Sequence, residues 1–255
     1  MMRTILAADR PAMGQWVATQ AAEVIRTAIE QQGHATIVIA TGASQFEVLG
    51  ELVQQPNIDW SLVTGFHLDE YVGLSADHPA SFCRYLKERF VDLVPISKFH
   101  FLYGDQDASE TIAKTGAELQ KTTIDLALVG IGENAHLAFN DPPADFETLE
   151  PYLIVKLDEA CRKQQVGEGW FPSLEDVPTE AMSMSVQQIL KAKRIFCSVP
   201  DSQKATAVRQ TLEGGIDPMI PASILKQHAG ATLIIDRASA GQLSQSTLDE
   251  VESIA

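Results

Sequence analysis

Along the chain, short unbroken apolar runs alternate with longer stretches whose apolar residues recur at helical spacing. That difference in period separates strands from helices. Residues 35–42 (ATIVIATG) are rich in β-branched side chains and almost continuously apolar, as a strand covered on both faces must be. Residues 13–33 (MGQWVATQAAEVIRTAIEQQG) keep a helical period and stop at Gly33, a residue suited to a C-cap. The same reading predicts a helix over 44–55 with Ser44 at its N-cap, a strand over 62–70 (LVTGFHLDE), and a helix over 78–94 with Pro79 near its first turn. It also predicts a strand over 98–104, a helix over 109–122 and a strand over 124–130 (IDLALVG). Residues 152–157 read as a strand, 161–178 as mostly irregular, 194–200 as a strand, 202–214 as a helix and 231–239 as a closing strand.

Alternation of this kind predicts a doubly wound, Rossmann-like α/β fold, a mostly parallel sheet with helices on both faces. No repeat, low-complexity tract or linker interrupts it, so 1–255 reads as a single domain. In such folds ligands sit beyond the carboxyl ends of the strands. Four strand exits carry polar groups: Thr41 with Gly42, Asp69 with Glu70, His136, and Lys204. The fold rule gathers them on one rim, although strand order is not readable from the sequence.

Each exit has its own chemistry. Thr41, Gly42, Ala43 and Ser44 form a small-residue turn before a helix, where free backbone N–H groups can cradle a phosphate. An ordinary strand–helix turn has the same composition, and the longer glycine loop of a P-loop is missing. Asp69 and Glu70 are adjacent on extended backbone and therefore point to opposite sides. One of them is a candidate proton shuttle in a partly dry cleft; a cap or surface charge is the plainer alternative. His136 lies in a loop opened by glycines, with Asn134 two residues before it and Asp141 five after. A carboxylate or amide there would fix its tautomer for acid–base work. Lys204 opens a helix, where a cation opposes the dipole, and that misfit points to an anionic partner. No glycine pattern for a dinucleotide and no His/Cys/Asp spacing for zinc is present, so no cofactor or metal is expected.

The net charge of −15 argues against nucleic acid as a partner. No apolar run reaches the roughly 20 residues that span a bilayer, and the first residues lack the features of a signal peptide. Cys83, Cys161 and Cys197 are odd in number and far apart, as expected of reduced thiols in a cytoplasmic protein.

The segments TGFHLDEYVGLSADHPASF, GIGENAHLAFNDP and SQKATAVRQTLEG, in that order, resemble the glucosamine-6-phosphate deaminases (isomerases), whose superfamily includes 6-phosphogluconolactonase. The resemblance runs from about residue 36 to 238, and the DEYVGL and HLAFND segments favour the deaminase branch. It implies conversion of a phosphorylated amino sugar, glucosamine 6-phosphate, to fructose 6-phosphate and ammonia without a redox cofactor. By the same resemblance Asp69 moves a proton from C2 to C1, His136 opens the sugar ring, and Asp141 orients it. Thr41, Gly42, Ala43, Ser44 and Lys204 then hold the phosphate. A homo-oligomer is left open.

Three departures from the family pattern stand out. Asn134 replaces an aspartate; its amide can hydrogen-bond the histidine ring but supplies no charge, which leaves Asp141 to stabilise an imidazolium. Glu168 or Gly169 falls where an arginine before paired aromatics binds phosphate, with Arg162 or Lys163 as the available substitutes. Residues 142–155 lack the basic side chains of the allosteric members, so no activation by an N-acetylated sugar phosphate is expected. Rival readings are a galactosamine-6-phosphate deaminase, a lactonase in which His136 activates water, and a sugar-phosphate sensor without turnover.

Overall fold

The structure is a computed structural model that describes residues 2–254. Its centre is an eight-stranded sheet built from β1 (Arg3–Ala7), β2 (Ala35–Ile39), β3 (Val63–His67), β5 (Lys98–His100), β6 (Leu126–Val129), β9 (Arg194–Val199), β10 (Ala231–Asp236) and β11 (Glu252–Ser253). The order is β11-β1-β10-β9-β6-β2-β3-β5, and every pairing is parallel. A smaller antiparallel sheet of β4 (Asp69–Tyr71), β7 (Tyr152–Lys156) and β8 (Glu180–Met184) has the order β4-β8-β7.

Side-chain alternation on the large sheet makes two cores. In β2, Ile37 and Ile39 face the core under α1 (Arg10–Gln32), together with Val17, Ile25 and Leu128. Val38 faces the other side, with Val129, Cys197, Leu233 and Val208 of α7 (Ala205–Glu213). Burying each such side chain contributes about 1.5–3 kcal/mol, which makes the register hard to shift, since a one-residue slip would exchange the two faces. A third core of Tyr71, Phe82, Phe139 and Phe171 lies beneath the small sheet.

The remaining helices are α2 (Phe46–Leu52), α3 (Phe82–Leu86), α4 (Ala108–Leu119), α5 (Glu159–Gly167), α6 (Val186–Ile189) and α8 (Gln245–Asp249). Helix α1 ends at Gly33 as expected; this residue adopts φ 79° and donates its N–H to the Ile29 carbonyl. No helix among the described residues is long and apolar enough to cross a membrane.

The two-sheet architecture corrects several local expectations. Residues 62–70 are not one strand. The Leu68 N–H still donates to Ile39 in the large sheet, but its carbonyl accepts from Met184 in the small one, so the chain changes sheets there. The strand expected over 152–157 is present as β7, but it belongs to the small sheet and not to the large one. Residues 161–178 are mostly irregular, as expected, but their first seven belong to α5, which has few apolar positions and is capped by Asp158. Ser44 caps nothing: a 3₁₀ turn over Ala43–Gln45 precedes α2, and the Ser44 hydroxyl accepts from Gln45. Pro79 precedes α3, whose cap is Ser81.

Candidate active site

The strands that precede the four polar exits, β9, β6, β2 and β3, are consecutive in the sheet. Neighbouring strands lie about 4.8 Å apart, so the four exits fall within roughly 14 Å. A cleft of about 370 Å³ opens above them, and Thr41, Gly42, Ala43, Ser44, Asp69, His136 and Lys204 all line it. Asn134 and Asp141 stand behind His136 rather than in the wall.

The loop after β6 is shaped around the imidazole. Gly132 lies beneath the ring, and a β-carbon there would overlap it. The turn is closed by the Gly132 N–H on the His136 carbonyl, while Ala135 and Ala138 take positive φ values of 65° and 51° on either side. Strain of this kind persists where surrounding contacts hold it. His136 Nδ1 is 3.0 Å from Asp141 Oδ1, so Asp141 selects the tautomer with hydrogen on Nδ1 and leaves Nε2 for other chemistry. Burial raises the Asp141 carboxyl, but hydrogen bonds from His136, Asn134 and the Asp158 N–H bring it below the ordinary value.

Asn134, whose amide is able to bond the imidazole ring, does not do so here. Its amide donates to Asp141 (2.9 Å) and to Asp158 (3.2 Å), and its Oδ1 accepts from the His136 backbone N–H. Two carboxylates converge on this position, so a neutral donor suits it where a third carboxylate would add repulsion.

Asp69 is 6% exposed, lines the cleft, and receives no hydrogen bond among the described residues. Burial, reinforced by the Glu70 charge, pushes its carboxyl up to about 8. Glu70 points the other way. Its Oε1 accepts from the Tyr71 and Phe82 N–H groups and its Oε2 from the Ser81 hydroxyl and the Cys83 N–H. Burial raises it to about 7 against the pull of those donors.

At the other end of the cleft, Gly42 adopts φ 88° and ψ 178°, a conformation open in practice only to glycine. Its carbonyl accepts from the Tyr85 hydroxyl, and the Ala43 carbonyl from Arg10. Arg10 also pairs with Glu47 and Asp201, tying the turn after β2 to the loop after β9. Nothing in the sequence marked Arg10, since only the fold brings residue 10 to residues 43 and 201. Lys204 is largely buried, which lowers its pKa, and its Nζ lies 3.7 Å from Glu168 Oε1. Neither proposed substitute for the missing arginine serves. Arg162 donates to the carbonyls of Leu174 and Val177, and Lys163 pairs with Glu159 at the surface.

Among the described residues, two side-chain groups are close enough to share a metal ion, His67–Glu70–Cys83 and His136–Asp141–Cys161. Both already spend donor atoms on internal hydrogen bonds, and burial pushes both thiols far above their ordinary range. A protonated thiol is a poor ligand.

The family of glucosamine-6-phosphate isomerases and 6-phosphogluconolactonase matches residues 8–234. The chain belongs to this glucosamine-6-phosphate isomerase/6-phosphogluconolactonase family. Glucosamine-6-phosphate deaminase of Thermoanaerobacter pseudethanolicus is 34% identical over 242 residues, 92% of this chain and 94% of that protein. Glucosamine-6-phosphate deaminase 1 of Bacillus subtilis is 35% identical over 228 residues, 86% and 92% of the two chains. A solved monomeric glucosamine-6-phosphate deaminase superposes with TM-score 0.84 at 30% identity, covering 93% of this chain and 99% of that one. The 6-phosphogluconolactonase of Trypanosoma brucei superposes with TM-score 0.77 at 15% identity over 96% of this chain and 99% of that one, a likeness of fold alone. Within the isomerase/lactonase family, this member thus combines an amide at position 134 with a glutamate, Glu168, on its cleft lysine.

Proposed function

We propose that the protein is a glucosamine-6-phosphate deaminase, converting glucosamine 6-phosphate and water to fructose 6-phosphate and ammonia. The observation that carries this reading is the shared cleft. A carboxylate without hydrogen-bond donors (Asp69) and a carboxylate-anchored imidazole (His136) face the same space as a phosphate-sized turn and Lys204. The deaminases covering most of the chain support it independently.

In this reading the phosphate sits against the backbone of residues 41–44 and the Lys204 ammonium. His136, protonated on both nitrogens and held by Asp141, donates from Nε2 to the ring oxygen, and the proton of the anomeric hydroxyl leaves. The open aldehyde acidifies the C2 hydrogen. Asp69 removes it, forming an enolamine, and returns it to C1, leaving an imine at C2. Water adds there and ammonia departs, so atoms balance with no redox change. A base raised towards 8 suits this step, because it takes a proton strongly and can still release it. The reduced, buried cysteines fit a cytoplasmic enzyme.

Ammonia release from glucosamine 6-phosphate and from its galacto epimer, run in deuterated water, tests the reading. Expected are turnover and deuterium incorporation at the sugar carbons, lost in Asp69→Asn and His136→Gln with phosphate binding kept. Hydrolysis of 6-phosphogluconolactone without activity on either amino sugar would replace it with the lactonase, and sugar-phosphate binding without any turnover with the sensor.

A further inference from the structure

The cleft holds an electrostatic contradiction. Its walls carry four acidic side chains, Asp69, Glu133, Glu168 and Asp201, against the single amine of Lys204. Other cations nearby are committed elsewhere: Arg10 to Glu47, Asp201 and the Ala43 carbonyl, and Arg162 to two backbone carbonyls. The only carboxylate paired with Lys204 among the described residues is Glu168. Glu168 is also held in place. Its Oε1 accepts from Gln164 Nε2 at 2.7 Å and its Oε2 from Trp170 Nε1 at 3.1 Å, at the C-terminal end of α5. The Lys204 and Glu168 side chains are only 13% and 24% exposed, so water screens the interaction only in part.

We propose that Glu168 sets how tightly the cleft holds a phosphate group: it is a resident counter-anion on Lys204 that any incoming phosphate must displace. The inference rests on the phosphate-binding role given above to residues 41–44 and Lys204. The two anions compete for one ammonium and repel each other at close range. Glu168 therefore subtracts affinity from the phosphate itself, whatever the phosphate is attached to. A sugar phosphate offsets this loss through its hydroxyl contacts, whereas bare inorganic phosphate has none to offer. Glu168 thus lowers the affinity of every phosphate ligand by one common factor, and a ligand with further contacts still binds where bare phosphate does not.

Because the opposition falls on the phosphate, removing it has a signature. Glu168→Gln is isosteric and its side-chain oxygen still accepts from Gln164 or Trp170. Calorimetric titration with inorganic phosphate is expected to show binding about tenfold tighter than wild type, the scale of one partly screened charge interaction. KM for glucosamine 6-phosphate falls by the same factor, with the change on KM rather than kcat, as for a group acting equally on ground and transition states. Unchanged or weaker phosphate binding in Glu168→Gln would overturn the proposal. So would a change in KM without a matching change for inorganic phosphate, since Glu168 would then be touching the sugar. The titration needs no turnover: absent ammonia release defeats the deaminase reading and leaves the phosphate result to decide Glu168.

Discussion

The two faces of β4 treat adjacent carboxylates in opposite ways. Glu70 is fully buried and takes four hydrogen bonds, one from the Tyr71 N–H and three from the start of α3 and its cap (the Ser81 hydroxyl and the Phe82 and Cys83 N–H groups), so it fastens the small sheet to that helix. Asp69, one residue earlier, takes none and faces the cleft. The same chemical group thus builds structure on one side and, in the proposed reaction, is the base on the other. Donors make the difference. A saturated carboxylate is fixed and stabilised as the anion, whereas one stripped of donors in a dry wall is a stronger base.

The contrast breaks most visibly at Asp69. Asp69→Asn keeps the shape and removes the base, and kcat for ammonia release is expected to fall about 10²–10⁴-fold while the chain stays folded. Glu70→Gln does the reverse. It turns an NH₂ group towards two donors, and urea unfolding should show a loss of about 2–3 kcal/mol. Either residue giving the other's result would erase the distinction.

The pH profile sharpens it. In the proposed reaction Asp69 serves as a base only when ionised, and its carboxyl is raised to about 8, so kcat/KM should rise with pH towards an acid-limb midpoint near 8. The Glu70 charge is the second cause of that elevation. In Glu70→Gln the limb should therefore move to lower pH, readable in the same ammonia assay.

The smallest effect is on stability. The folded-state pKa of Asp69 lies above its unfolded value, so the folded protein holds a proton that the unfolded chain releases. Its contribution is intact below the unfolded value near 4 and is lost as pH rises through about 8. Asp69→Asn has no such loss. Its melting temperature should exceed that of wild type by a few °C at pH 9 and by less at pH 5. Equal differences at the two pH values would mean that Asp69 is not raised in the folded state.

Much of this molecule is written in local pattern. The unbroken runs of β2, β6, β9 and β10 and the long period of α1 announce a parallel sheet wrapped by helices, because each demands burial on a definite side. Glycines and polar residues at the strand exits mark Thr41, Asp69, His136 and Lys204 for the same reason: such residues fit poorly inside a core. The small sheet was not legible. Leu68 changes sheets within a continuous strand-like pattern, and only the pairing with Met184 reveals it. Helix α5 was hidden too, because only Cys161 and Val166 of it join a core, too few to print a helical period, while Asp158 caps it and Gln164 accepts from the Glu133 N–H. Arg10 joining two distant loops, Asn134 serving two carboxylates and Glu168 sitting on Lys204 were decided by tertiary structure alone. Periodicity records which side of an element is buried; it holds nothing about which charged group from elsewhere in the chain will arrive beside it.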